Sequence, residues 1–461
     1  MNNNLSKIIK LFVIPIVIFF VFFVIYKTKA TNINSRYLFD EYAWIGRGYY
    51  FELLLKGDFK NNLWETYEID GDPKLASYLY GLTLYPDYLK EKKIKGNDYD
   101  MVRYLIENNF YISGFFNNLS KQKYDKYLPE NFISWQESGA PRTILLADLL
   151  KQFGGDFEKT VNIITKARLG SVVFLSLSVS VAYLIFISTF NSIIVSLLMT
   201  FLYGFSSLLT RYGLVAYSEP IYLFLFNLLL LNLFLFFSNK KQRFLFIIPS
   251  IIICAFLNQA KISGVLFLPL IIFLLIIDSF GKDIKMFFIK IFFIIYFFLL
   301  IYITIDPFLY SNTLRKVVFQ YQWTHNMSVD QQTYFKSNAL LKIKDKISFI
   351  NKSLLNNGNQ SLTPFVLSNN IYINSFIRFI KLFFIFGLIK SILEFIKEKQ
   401  LTKRKVMLIV FVYFYVSLLF YLRLTWDRYL IHMLIFVFYF TGQGIMFGFQ
   451  LVKYLQLKAK R

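Results

Sequence analysis

The sequence predicts an all-α polytopic membrane protein of about ten transmembrane helices with two extracytoplasmic loops, on three observations. The 461 residues are 56% hydrophobic and 20% aromatic with only 17% charged, far from the makeup of a soluble domain. The apolar residues come in runs, several of them long enough to cross a bilayer, which takes about 20 residues per helix. The 51 Lys and Arg, against 28 Asp and Glu, fall largely in short patches beside those runs. That placement follows membrane topology and lipid headgroups rather than nucleic acid, which is excluded as a partner.

The run "LFVIPIVIFFVFFVIY" follows Lys7 and Lys10, so the first helix (residues 1–26) starts in the cytosol and delivers residue 27 outside. A cleaved signal peptide is the alternative, but the run is long and "KTKATN" is a weak cleavage site. Residues 27–167 hold no spanning stretch and form a large extracytoplasmic loop. Spans follow near 168–189, 192–209, 219–238, 243–259, 261–278 and 286–305, making helices 2–7 of residues 168–305. A second outside loop occupies 306–372, and spans near 373–393, 406–424 and 429–452 complete residues 373–461 with a basic cytosolic tail.

Charge checks this alternation. The ends assigned to the cytosol carry "NKKQR" (239–243), "GKDIK" (281–285), "KEKQLTKRK" (397–405) and "KYLQLKAKR" (453–461), as the positive-inside rule requires. The span with Arg378 and Lys381 must snorkel those charges or turn them inward. No repeat or low-complexity tract appears. The single cysteine, Cys254, lies in an apolar run and rules out an intrachain disulfide. With only His325 and His432, a histidine-rich zinc site is excluded, and any metal would rest on carboxylates.

With sides assigned, the unusual polar residues all fall outside. Asp40 and Glu41 follow span one, Arg168 opens span two, and Arg211 and Glu219 frame "TRYGLVAYSEP". Asn258, Gln259 and Lys261 sit at the turn between spans five and six, "DPFLY" (306–310) follows span seven, and "TWDRY" (425–429) joins the last two. Ionisable groups at such depth are functional candidates, yet each has an ordinary reading. Arg168 and Arg211 suit interfacial anchors, Asp306 before Pro307 suits a helix stop, and Asp427 beside Arg428 suits a local ion pair. His432 suits packing in its span and His325 a loop. "ESGAPRT" (137–143) and "KGDF" read as turns. Asp40 and Glu41 could be plain helix capping, but they lie near the membrane ahead of "YAWIGRGYY", whose aromatics suit an amphipathic interfacial helix.

Taken together, "FDEYAWIGRGYY", "GDF" with Trp64, "DGDPKLASYLYG", "ARLGSVVF", "YSEPIYLFL", "NQAKISGVLFLP", "DPFLY" and "WDRYLIHMLIF" resemble the C-superfamily (GT-C) membrane glycosyltransferases. That family includes the protein mannosyltransferases and the aminoarabinose transferase of lipid A. The likeness spans most of the chain, clearest in 35–85 and 165–270, and rests on order, side and spacing rather than on one motif. Where protein mannosyltransferases tend to have His-Pro-Pro, this chain has "DPKLA", a departure from that subgroup.

The resemblance implies transfer of a sugar from a polyprenyl-phosphate carrier to an acceptor hydroxyl of a lipid, glycan or protein, with inversion. A lipid phosphate leaves without a general acid, whereas the acceptor hydroxyl needs a base, so one carboxylate suffices where a glycosidase needs two. It makes Asp40 the base and Glu41 a supporting or alternative acid. Lys261, Arg428, Arg211 and Arg168, in falling order, would hold the departing phosphate. Glu219 and Asp72 would orient sugar hydroxyls or pair with those cations, and Lys74 and Tyr429 join the substrate-binding set. No ligand-spaced motif names a metal, so a divalent cation is left open as a cofactor. The resemblance also places the protein in the cell envelope, as a bacterial plasma-membrane enzyme facing outside.

Rival readings have their own signatures. A flippase or transporter would put charges near the midplane in two related halves, and an O-antigen-type ligase or polymerase would rely on Arg and His in a late loop. A non-catalytic scaffold would need none of these groupings.

Overall fold

The computed structural model describes residues 3–31, 39–64, 73–108, 110, 157–238, 243–279, 284–356, 361–362, 370–398 and 401–459. Among these the chain is almost wholly helical and has no strand beyond an isolated bridge between Ala339 and Leu424. Asp72 and the "ESGAPRT" segment lie outside the described residues, as does the side chain of Asp40.

Among the described residues six helices are long and apolar enough to cross a membrane: Leu5–Thr31, Glu158–Phe190, Glu219–Ser238, Phe288–Ile305, Lys403–Tyr421 and Asp427–Lys458. The protein is an integral membrane protein by that measure. Ile193–Phe205, Leu245–Ala260 and Ile262–Ile277 are shorter apolar helices, and Asn370–Lys397 is long but more charged.

Burial sorts these helices. The helices 158–190, 219–238 and 427–458 are largely enclosed by protein, whereas 5–31 and 288–305 bury little of their length. Helix 14–31 shows why: Ile18, Phe22, Tyr26 and Ala30 repeat every four residues on one buried face, while Ile16, Val17, Phe20 and Val24 are exposed. A stripe of this spacing docks and the remainder faces lipid. Its docking is tied by Tyr26 donating to the Gly204 carbonyl at 2.6 Å and Ser180 donating to the Pro15 carbonyl at 2.7 Å.

The most extensive helix contact joins 370–397 to 434–459. Their backbones meet so closely that a Cβ on Gly387 would lie 1.8 Å from the Phe440 carbonyl oxygen, and one on Gly444 1.9 Å from that of Phe383. Small residues at such a crossing gain packing that lipid cannot supply.

The first loop contains helices Phe39–Gly46, Tyr49–Lys56, Leu75–Lys95 and Met101–Glu107. The expected interfacial helix is instead part of the core: Ala43, Trp44, Ile45, Tyr49 and Tyr50 are all buried. Its aromatics meet protein because Gly81 of helix 75–95 crosses the turn at Gly48, where a Cβ on Gly81 would come within 2.2 Å of the Gly48 oxygen. The second loop is helical too, with Thr313–Tyr334 and Ile343–Leu354. His325, read as a loop residue, lies in the first of these on polar helical sequence that carries no spanning run.

Candidate functional site

The site is built where the ends of several helices meet the two loops. Arg168 was expected at a helix end but lies within Phe157–Phe190, which begins well before the apolar run. Its guanidinium grips Glu41 with both arms, Nε to Oε1 at 2.5 Å and Nη2 to Oε2 at 2.7 Å, and Nη1 donates to the Ala30 carbonyl at 3.4 Å. The Ala216 amide adds a third donor to Glu41, 2.9 Å from Oε1. Both side chains are within 1% of full burial. A fork-on-carboxylate geometry with an added amide satisfies a buried charge pair. Glu41 thereby ties helix 39–46 to helix 157–190 and to the backbone at Ala216.

Tyr80 continues this contact. Its hydroxyl meets Ser171 Oγ at 3.0 Å and donates to the Tyr217 carbonyl, while Ser171 donates to the Val215 carbonyl at 2.7 Å. The backbone at 215–217 is thus held from both sides, and Glu219 follows at the head of its helix.

Glu219, expected to orient sugar hydroxyls or to pair with one of the cations, pairs with Lys261, whose Nζ lies 2.9 Å from Oε1, and Ser218 lies 3.3 Å from Oε2. Lys261 sits in extended backbone where helix 243–260 breaks before the short turn Ile262–Leu266, which carries its ammonium to the helix 219–238 terminus. The Lys261 ammonium lies 5.3 Å from the Tyr429 ring centroid and 5.8 Å from that of Tyr222. Arg428 stands over Trp426 and Tyr429, at 4.8 and 5.5 Å. Lys261 is 23% exposed and Glu219 5%, whereas the Glu41–Arg168 pair is sealed.

Asp427 does not pair with its neighbour Arg428. It takes Arg211 at 2.9 Å and the Tyr212 hydroxyl at 2.7 Å, because the short helix Ser207–Gly213 faces the turn 427–433. Burial, with the Asp427 carboxylate, pushes the Tyr212 phenol up, so it stays a donor.

Asp306 caps its turn by accepting from the Phe308 amide at 3.2 Å, as a helix stop should. It also holds Lys74 at 2.9 Å and Gln320 Nε2 at 3.3 Å, which the sequence did not reveal. Lys74, expected at substrate, is buried among Phe308, Tyr50 and Trp64. Burial pulls its ammonium down to about 8, against the opposing pull of Asp306. Gln320 receives Tyr302, and Gln259 donates to the Tyr302 carbonyl at 3.3 Å, extending the network toward Lys261. Asn258 donates to Tyr321 at 3.1 Å.

His432 packs in its helix as expected, edge-on to Phe414, Phe226 and Tyr222 at 5.3, 5.8 and 6.3 Å. Among the described residues no three His, Cys, Asp or Glu gather as metal ligands. Gln320, Tyr80, Tyr212 and the Ala216 amide were missed, and only their polarity among aromatics could have flagged them. No family model, curated protein or solved structure matches this chain.

Proposed function

We propose that this chain is an inverting glycosyltransferase that moves a sugar from a polyprenyl-phosphate carrier to an acceptor hydroxyl at the extracytoplasmic face of a bacterial plasma membrane. The three shorter apolar helices and Asn370–Lys397 complete a set of about ten spans. The alternation is supported by ends that meet as it requires. Glu41, Arg168, Glu219, Lys261, Arg211, Asp427, Lys74 and Asp306 interlock at one end, and Lys403 reaches the Ser188 carbonyl at the other, 3.3 Å away.

The observation that carries the reading is Lys261, 23% exposed and paired with the buried Glu219, lying near the Tyr222 and Tyr429 rings with Arg428 over Tyr429. The pair neighbours the Glu41-anchored acidic helix through the backbone at 216–217, where the Ala216 amide donates to Glu41 and Tyr80 donates to the Tyr217 carbonyl, two residues before Glu219. Asp40 takes the acceptor proton as the acceptor oxygen bonds the anomeric carbon. The bond from that carbon to the carrier phosphate breaks, and its electron pair leaves on the phosphate. Lys261 and Arg428 stabilise that growing charge, and Glu219 holds Lys261 in place. Aromatic faces suit the C–H surface of a sugar ring.

The test is transfer from polyprenyl-phosphate-linked hexoses by the purified chain in lipid. Asp40→Asn is expected to abolish transfer with the folded fraction unchanged. Undiminished transfer by that variant would remove Asp40 as the base.

A further inference from the structure

Helix Ile343–Leu354 carries one apolar stripe, Ile343, Ile347, Ile350 and Leu354, at helical spacing. Only half of it has a partner. Ile350 and Leu354 are buried in protein, whereas Ile343 and Ile347 are exposed and Leu341, just ahead, is 78% exposed. The depth of this helix is fixed by its neighbour. Lys346 donates to the Leu419 carbonyl at 2.8 Å, Tyr415 donates to Asn351 at 3.3 Å, and the Leu340 amide donates to the Arg423 carbonyl at 2.8 Å.

The first two contacts lie on the last turns of Lys403–Tyr421, a helix long and apolar enough to cross a membrane, and the third just beyond its end. The same turns expose Val412, Val416 and Phe420. An exposed apolar surface on a helix of this length and composition suits lipid, and the half-unpartnered stripe belongs to a segment bound to the end of that helix. The polar side of the segment is basic: Lys336, Lys342, Lys344 and Lys352 are exposed against Asp345.

We propose that segment 341–354 is an interfacial anchor. Leu341, Ile343 and Ile347 enter the boundary between headgroups and acyl chains beside the end of helix 403–421, and the exposed lysines bind anionic lipid phosphates. Amphipathic helices with basic polar faces bind bilayers in this plane, by buried apolar area plus attraction to anionic lipid. The occupant is therefore an anionic bilayer surface and not a protein. The consequence is mechanical as well, because Lys346 and Leu340 couple the anchor to the outlet of the span.

The inference stands apart from any catalytic activity and is tested on the full chain in nanodiscs of phosphatidylcholine, alone or with phosphatidylglycerol. Cys254 is buried and stays unlabelled, so spin labels on Ile343→Cys, Ile347→Cys and Ser348→Cys report locally. Labels at 343 and 347 are expected to collide mainly with oxygen, as in lipid, and the label at 348 mainly with a water-soluble nickel chelate. Phosphatidylglycerol is expected to deepen the first two, and Lys342→Glu with Lys344→Glu to cancel that deepening. Nickel access equal at all three positions, or spin coupling between protein copies at 343, overturns the anchor. Depth indifferent to phosphatidylglycerol overturns the anionic-lipid assignment.

Discussion

Arg168 and Glu41 meet through two parallel hydrogen bonds of 2.5 and 2.7 Å inside the protein, although 127 residues separate them in the chain. Removing one partner leaves a buried charge without its match, which costs about 3–5 kcal/mol, while replacing both with apolar groups costs far less. Arg168→Met is expected to lower stability by that amount in detergent unfolding, and Arg168→Met with Glu41→Leu to restore most of it. A double variant as unstable as the single one would refute the pairing argument.

The Lys74–Asp306 pair gives a pH signature. Lys74 titrates near 8 when folded, against 10.5 when free, so below about 8 both states are protonated and the burial cost is fully present. Between about 8 and 10.5 the unfolded chain keeps a proton that the folded chain has released, so stability rises with pH at this site. Lys74→Met is expected to flatten that rise. Unfolding midpoints measured across the window in both proteins make the comparison.

Gly444 marks the tightest helix crossing. Gly444→Ala pushes a methyl into the Phe383 carbonyl, which must recede by more than an ordinary contact allows. Overpacking of this kind costs about 1–3 kcal/mol, and a thermal melt is expected to show it. Gly448→Ala, where the nearest atom would be 3.6 Å away, serves as the control and is expected to melt with the parent.

Lys261 faces the proposed phosphate. Lys261→Met is expected to cut transfer about 100-fold, the order of loss when one preorganised donor to a developing anion is removed. Steady-state rates with a lipid-linked sugar measure it, and a change in KM alone would assign Lys261 to ground-state binding.

Apolar runs made the spanning helices legible, since bilayer thickness dictates their length and composition. Glu219 and Lys261 were legible as unusual charges at predicted outer ends, but which of the four cations Glu219 takes was not. Other partners were not. Asp427 sits beside Arg428 in sequence but bonds Arg211, a choice made by the packing of helix 207–213 and invisible to spacing. Asp306 announced a helix stop and acts as one, while its partner Lys74 lies 232 residues away. The helices of 313–354 were hidden because they are polar or amphipathic, and their stability comes from docking rather than from a spanning run.

The order of these pairs along the chain has a consequence for biogenesis. Glu41 emerges before Arg168, and Arg211 long before Asp427, so each early charge waits for a later helix to be synthesised. The acidic helix 39–46 therefore docks only after helix 157–190 has been made, and the Arg211 latch closes only once residue 427 has followed. A nascent chain stalled before residue 427 is an assembly intermediate with its first clasp fastened and its last one open.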